Sequence, residues 1–129
     1  RESEGPKHLY VLQLVGNEAH FLGRAVNDEI IVKAGFSKSP GTRCEAHNRA
    51  LPRGAFRWKV LYSTFDDLRE PFDCSDRAKA GEQAMIAALD SYGQSLNGEF
   101  FCASPGHVEA AWKRGIRTAD DWTPQGART

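Results

Sequence analysis

No Cys-x-x-Cys pair occurs in the chain, and its three cysteines, Cys44, Cys74 and Cys102, lie far apart. A zinc centre built on such pairs is not expected, and three thiols do not suit a disulfide framework. The reading is three free thiols in a reducing compartment. Long apolar runs are missing too. A bilayer span needs roughly 20 apolar residues, whereas the longest candidate, Leu9 to Val15, is interrupted by Gln13 and has the length of a strand. No signal or transit peptide is recognisable, and no membrane partner is expected. Net charge is absent: 17 Lys and Arg balance 17 Asp and Glu. Proteins that bind phosphate usually carry a basic surplus, so any surplus here must be local. There is no initiator Met, and Arg1-Glu2-Ser3-Glu4-Gly5-Pro6 reads as a linker cut from a longer chain.

What remains is a chain of 129 residues, 40% hydrophobic and 26% charged, which fits one globular domain with one core. A local basic surplus does exist. Arg43, Arg49, Arg53, Arg57 and Lys59 face only Glu45, and an acidic stretch of Asp66, Asp67, Glu70, Asp73 and Asp76 follows. Taken alone, such runs read as solvated faces that cancel in preference to a path for phosphates.

His8 to Val15 reads as a strand of β-formers closed by Gly16-Asn17, and Glu29 to Gly35 as a second strand. The polar segment between them reads as a loop or an extra hairpin. Thr42 is suited to cap a helix from Arg43 to Ala50, which Leu51-Pro52-Arg53-Gly54 ends. Phe56 to Thr64 alternates, with Phe56, Trp58, Val60 and Tyr62 on one face and Arg57, Lys59 and Leu61 on the other. Ser75 or Asp76 caps a helix from Arg77 to Tyr92, which Gly93 closes. Gly98 to Ala103 is a fourth strand. Pro105 opens a last helix, His107 to Arg114, ended by Gly115. The expected fold class is α+β: a small mixed or antiparallel sheet flanked by helices. Residues 1–7 read as linker, 8–116 as the domain and 117–129 as a loosely ordered tail.

Several side chains could carry chemistry. Glu82 shares a helical stripe with Ile86 and Leu89, with Met85 beside them. A carboxylate in such a stripe needs neutralising, by a divalent cation or by an Arg or Lys at the stripe's edge. Lys33 shares a strand face with Ile31 and can hold a phosphate, or favour the charged form of a nearby tyrosine. Arg43 stands at a helix start, where the dipole disfavours a cation, and a bidentate phosphate contact is one reason to put it there. His47 follows one turn later. Tyr10, taken alone, reads as a packing residue. His8, His20 and His107 read as surface residues.

The segment Lys33-Ala34-Gly35-Phe36-Ser37-Lys38-Ser39-Pro40-Gly41-Thr42-Arg43-Cys44-Glu45-Ala46-His47-Asn48 resembles the second half of the GIY-YIG nuclease motif, with the Gly-to-Arg and Arg-to-His spacings intact. His8-Leu9-Tyr10 stands where that family has Gly-Ile-Tyr. Glu82 stands where it has its metal-binding Glu, and Leu96-Asn97-Gly98-Glu99-Phe100-Phe101 is similar to its late Gly-Glu-Trp-Phe strand. The resemblance runs from about Leu9 to Phe101. The interval from Tyr10 to Lys33 is roughly twice the family's usual one, which makes Gly16 to Glu29 an insertion in the first hairpin.

The resemblance implies a metal-dependent endonuclease that hydrolyses phosphodiester bonds of DNA. Tyr10 would act as general base or position the attacking water, and Lys33 would help to ionise it or hold that water. Arg43 would bind the scissile phosphate, His47 would assist beside it, and Glu82 would be the sole protein ligand of one Mg²⁺ or Mn²⁺. Asn97 is the candidate for the family's late polar residue. Arg49, Arg53, Arg57 and Lys59 would track the DNA backbone. The alternative is an inactive nucleic-acid-binding module on the same scaffold. The parent would be a restriction or repair enzyme, or a secreted toxin held in check by an inhibitor (immunity) protein. In either case the domain would act in the cytoplasm.

Overall fold

The computed structural model describes residues 5–16, 28–96 and 100–124. Strands β1 (His8–Gly16) and β2 (Ile30–Ser37) are followed by helix α1 (Pro40–Arg49) and strand β3 (Phe56–Ser63). Helix α2 (Ser75–Tyr92), the short strand β4 (Gln94–Ser95), strand β5 (Phe100–Ala103) and helix α3 (Pro105–Asp121) complete the order. The five strands form one sheet, β3-β1-β2-β5-β4, antiparallel at every pairing. The α+β expectation holds at that level, and the sheet is antiparallel rather than mixed. Asn97, Gly98 and Glu99, and the centre of the segment read as an insertion, lie outside the described residues.

Strand alternation sends successive side chains to opposite faces, and the sheet separates two clusters accordingly. On the reverse face Leu9, Val11, Val32, Ala34, Phe101 and Ala103 pack under α2 and α3 through Ala78, Met85, Leu89, Val108 and Trp112. On the front face Tyr10, Leu12, Leu14, Ile31 and Trp58 pack with Cys44 of α1.

Three expectations need correction. Gly115 does not end α3; it lies within the helix, which continues to Asp121. A Cβ on Gly81 of α2 would stand 2.7 Å from Leu9 Cδ1 and 2.9 Å from the Gly115 carbonyl oxygen, and one on Gly115 would collide with Met85 Cγ. The two glycines let the helix backbones approach, and the packing outweighs the roughly 1 kcal/mol that an interior glycine costs a helix. The last turn is anchored as well: Arg77 Nη1 donates to the Ala119 carbonyl at 2.7 Å and its guanidinium lies over Trp122.

The second correction concerns β3. The register slips between Val11 and Leu12, which pair with Tyr62 and Val60, leaving Leu61 as a bulge residue. Tyr62 therefore leaves the face of Trp58 and stacks on Trp112 on the reverse side, with centroids 5.5 Å apart. A period-two pattern cannot register an extra residue. The third concerns α1, which starts at Pro40 after Ser39 as N-cap, so Thr42 lies within its first turn and accepts a hydrogen bond from Ser39 Oγ at 2.9 Å. Proline tolerates this position because a first-turn N–H has no partner to lose.

Candidate active site

The front face assembles from β1, β2 and α1. Tyr10 pairs directly with Gly35 and Leu12 with Lys33. Tyr10 and Lys33 are thus diagonal neighbours on one face, at positions about 7–8 Å apart. The first hairpin keeps them on the same side of the sheet. Both are buried. Lys33 Nζ lies 5.5 Å from the centroid of the Phe100 ring, a cation–π contact that orients the ammonium on this face.

Gly35 explains how Tyr10 lies. A Cβ there would stand 2.5 Å from the phenolic oxygen and 2.6 Å from Cζ. The tyrosine ring is therefore laid across the β2 backbone, and any side chain at residue 35 would displace its hydroxyl. Without the register, the sequence shows only a glycine inside a strand.

Helix α1 brings Arg43 and His47, both half-buried, over this face. They are four residues apart, one helical turn. The His47 ring lies 6.5 Å from Trp58, centroid to centroid, and its Nε2 is buried. Asn48 fixes the helix in place. Its Nδ2 donates to the Trp58 carbonyl at 2.9 Å, and the Trp58 N–H donates to its Oδ1 at 2.6 Å. β3 is an edge strand, so one side chain satisfies backbone groups that the sheet leaves unpaired. The Cys44 thiol also donates to the Trp58 carbonyl, at 3.4 Å. Burial pushes that thiol up from its ordinary range, against a smaller opposing effect of Arg57, and keeps it a neutral donor.

His8, read from the sequence as a surface residue, is buried. Its Nδ1 lies 2.8 Å from Thr64 Oγ1 and its ring meets Phe65 edge-on at 5.5 Å. By alternation it shares the face of Tyr10, two residues away. Desolvation lowers its pKa, with Glu70 pulling weakly the other way. His107 is exposed and stacks on Tyr92; His20 lies outside the described residues.

Glu82 comes from the other side. It is half-buried on α2, which covers the reverse face. Its neighbour Gly81 sits against Leu9 and the Gly115 carbonyl. Among the described residues no group of three or more His, Cys, Asp and Glu side chains forms a metal centre.

The basic segment is spread out. Arg49 and Arg53 are exposed at and beyond the end of α1. Arg57 and Lys59 are exposed on β3, leaving it from the side opposite Trp58. Lys59 thus stands behind the sheet from Tyr10, whereas Arg57 wraps close enough to the edge to line the groove at the end of α1. Asn97 lies outside the described residues. No helix among the described residues is long and apolar enough to cross a membrane. No protein-family model, curated protein or solved structure matches the chain.

Proposed function

We propose that the chain is a divalent-metal-dependent endonuclease that hydrolyses DNA phosphodiesters at its front face, in the manner of the GIY-YIG enzymes it resembles. The observation that carries this reading is the pairing of Tyr10 with Gly35. The phenol lies across the β2 backbone, on the face that Lys33 shares and that α1, the helix of Arg43, covers.

The residues divide the work as hydrolysis demands. Arg43 binds non-bridging oxygens of the scissile phosphate and offsets the charge that grows there. Tyr10 orients the attacking water or, as a phenolate favoured by the charge of Lys33, receives its proton. Lys33 brings positive charge to the same face, and His47 steadies the phosphate from the next turn of α1. Mg²⁺ suits a site with a single carboxylate, because it is held by one or two carboxylates together with phosphate and water; a closed zinc-type centre does not fit these residues. Glu82 would hold Mg²⁺ or Mn²⁺, which when bound supplies charge neutralisation at the phosphate and leaving oxygen.

The decisive experiment is nicking of supercoiled plasmid with Mg²⁺. Cleavage that EDTA abolishes, and that Glu82→Ala or Arg43→Ala nearly removes, is expected. Unchanged cleavage by Glu82→Ala would remove the metal assignment. Binding without cleavage by the unmodified chain, across several divalent ions, would leave a nucleic-acid-binding module.

A further inference from the structure

A second feature lies at the opposite end of β1 from Tyr10. A groove of about 450 Å³ opens between the end of α1 and the adjoining ends of β1 and β3. Val15, Leu51, Pro52 and Phe56 give it apolar walls, and Arg53 and Arg57 stand at its rim. Its shape depends on close backbone packing. Gly16 has a φ of 146°, and a Cβ there would stand 2.5 Å from the Ala55 carbonyl oxygen and 2.8 Å from Phe56 Cδ1. The turn on its other side passes through Gly54, with a φ of 78°.

We propose that this groove is a subsite for one unpaired nucleobase of the DNA substrate, seated against Phe56, with its flanking phosphates held by Arg53 and Arg57. The proposal rests on the nuclease reading of the front face and adds a substrate preference to it. A flat aromatic ring carried on an anionic backbone matches apolar walls under two guanidinium groups. Base–aromatic stacking tolerates any sequence, because every base has a π-face. Arg49 is exposed in the last turn of α1, and Arg53 lies in the turn beyond it, where it lines the groove. Six residues of β1 separate Tyr10 from Gly16, about 20 Å at the rise of a strand. That is about six nucleotide steps of B-form DNA. The preferred substrate is then a duplex joined to a single-stranded segment, cut about six nucleotides from the unpaired base.

The test measures binding of the full chain, in EDTA, to three fluorescein-labelled DNAs: a blunt duplex, the same duplex with a three-nucleotide single-stranded overhang, and that overhang made abasic. The overhang with bases should bind about tenfold more tightly than the abasic one, within the range that stacking of a base supplies. Phe56→Leu keeps the apolar packing and should erase the difference. Arg53→Gln, at an exposed turn, should weaken binding to both overhangs if Phe56→Leu fails to fold. Equal affinity for the base-bearing and abasic overhangs would overturn the proposal, as would no binding to any of the three. So would a groove filled by a second copy, seen as DNA-independent dimerisation in sedimentation that Phe56→Leu abolishes. Metal-dependent cleavage without base-dependent binding removes the subsite alone. Base-dependent binding without cleavage removes the nuclease reading and leaves the subsite standing.

Discussion

The two faces of the sheet solve different problems. The reverse face is covered by two long helices that meet at Gly81 and Gly115, with Leu9, Met85 and Leu89 fully buried between helices and sheet. The front face is covered by one ten-residue helix, α1, with two buried residues, Pro40 and Cys44. Apolar burial of about 1.5–3 kcal/mol per large side chain holds the first arrangement. The second depends more on directed contacts, above all the two hydrogen bonds between Asn48 and Trp58. The front face is thus fastened by a few polar contacts to a platform stabilised from behind.

Substitutions test that contrast. Met85→Ala at the back should cost about 2–5 kcal/mol, since it empties a fully buried site. Thermal melting should fall sharply, while the cleavage rate of the remaining folded fraction stays near the unmodified value. Arg43→Ala in front should do the reverse, with cleavage down about 10²–10³-fold, the range for losing one charge-stabilising donor, and little change in melting. An equal loss of stability in both variants would erase the division.

Gly35→Ala should displace the Tyr10 ring, costing about 1–3 kcal/mol of overpacking. Cleavage should fall by more than the loss of folded protein explains, a comparison read from activity and circular dichroism on the same sample. Asn48→Ala leaves the Trp58 backbone groups to water. It should cost about 1 kcal/mol, with lower cleavage because α1 and Arg43 lose their anchor.

The smallest effect concerns pH. His8 is held below its ordinary pKa of 6.5 by burial. The unfolded chain then binds a proton more readily than the fold, so this contribution is present above about pH 6.5 and is lost as pH falls toward the folded value. Stability measured by urea unfolding should drop between pH 7.5 and pH 5, and His8→Gln should flatten that slope. An unchanged slope would mean that His8 is not the group titrating.

The order of four strands and three helices was legible because each period reports on its own element: the apolar run after His8, the alternation from Phe56 and the long helix before Gly93; the two-residue strand Gln94–Ser95 is too short to show a period. Ends and exceptions were not. Gly115 reads as a stop until Met85 and Gly81 are seen against it, and Tyr62 reads as a partner of Trp58 until the bulge at Leu61 turns it round. His8 reads as exposed because its partner Thr64 lies 56 positions away. Asn48 is visible in the motif, but its bonds to an edge strand are not.

By itself, the chain's linear pattern determined the alternation of strand and helix, the segregation of basic from acidic segments, and the spacing from Lys33 through Gly35 and Arg43 to His47. Those properties are local and follow from backbone period and residue chemistry. Folding in three dimensions set Tyr10 across Gly35 and Lys33 on the same face, and it put Glu82 on a helix over the reverse face. Register and helix placement depend on contacts between residues distant in sequence, and a one-residue shift in either sends a side chain to the other face.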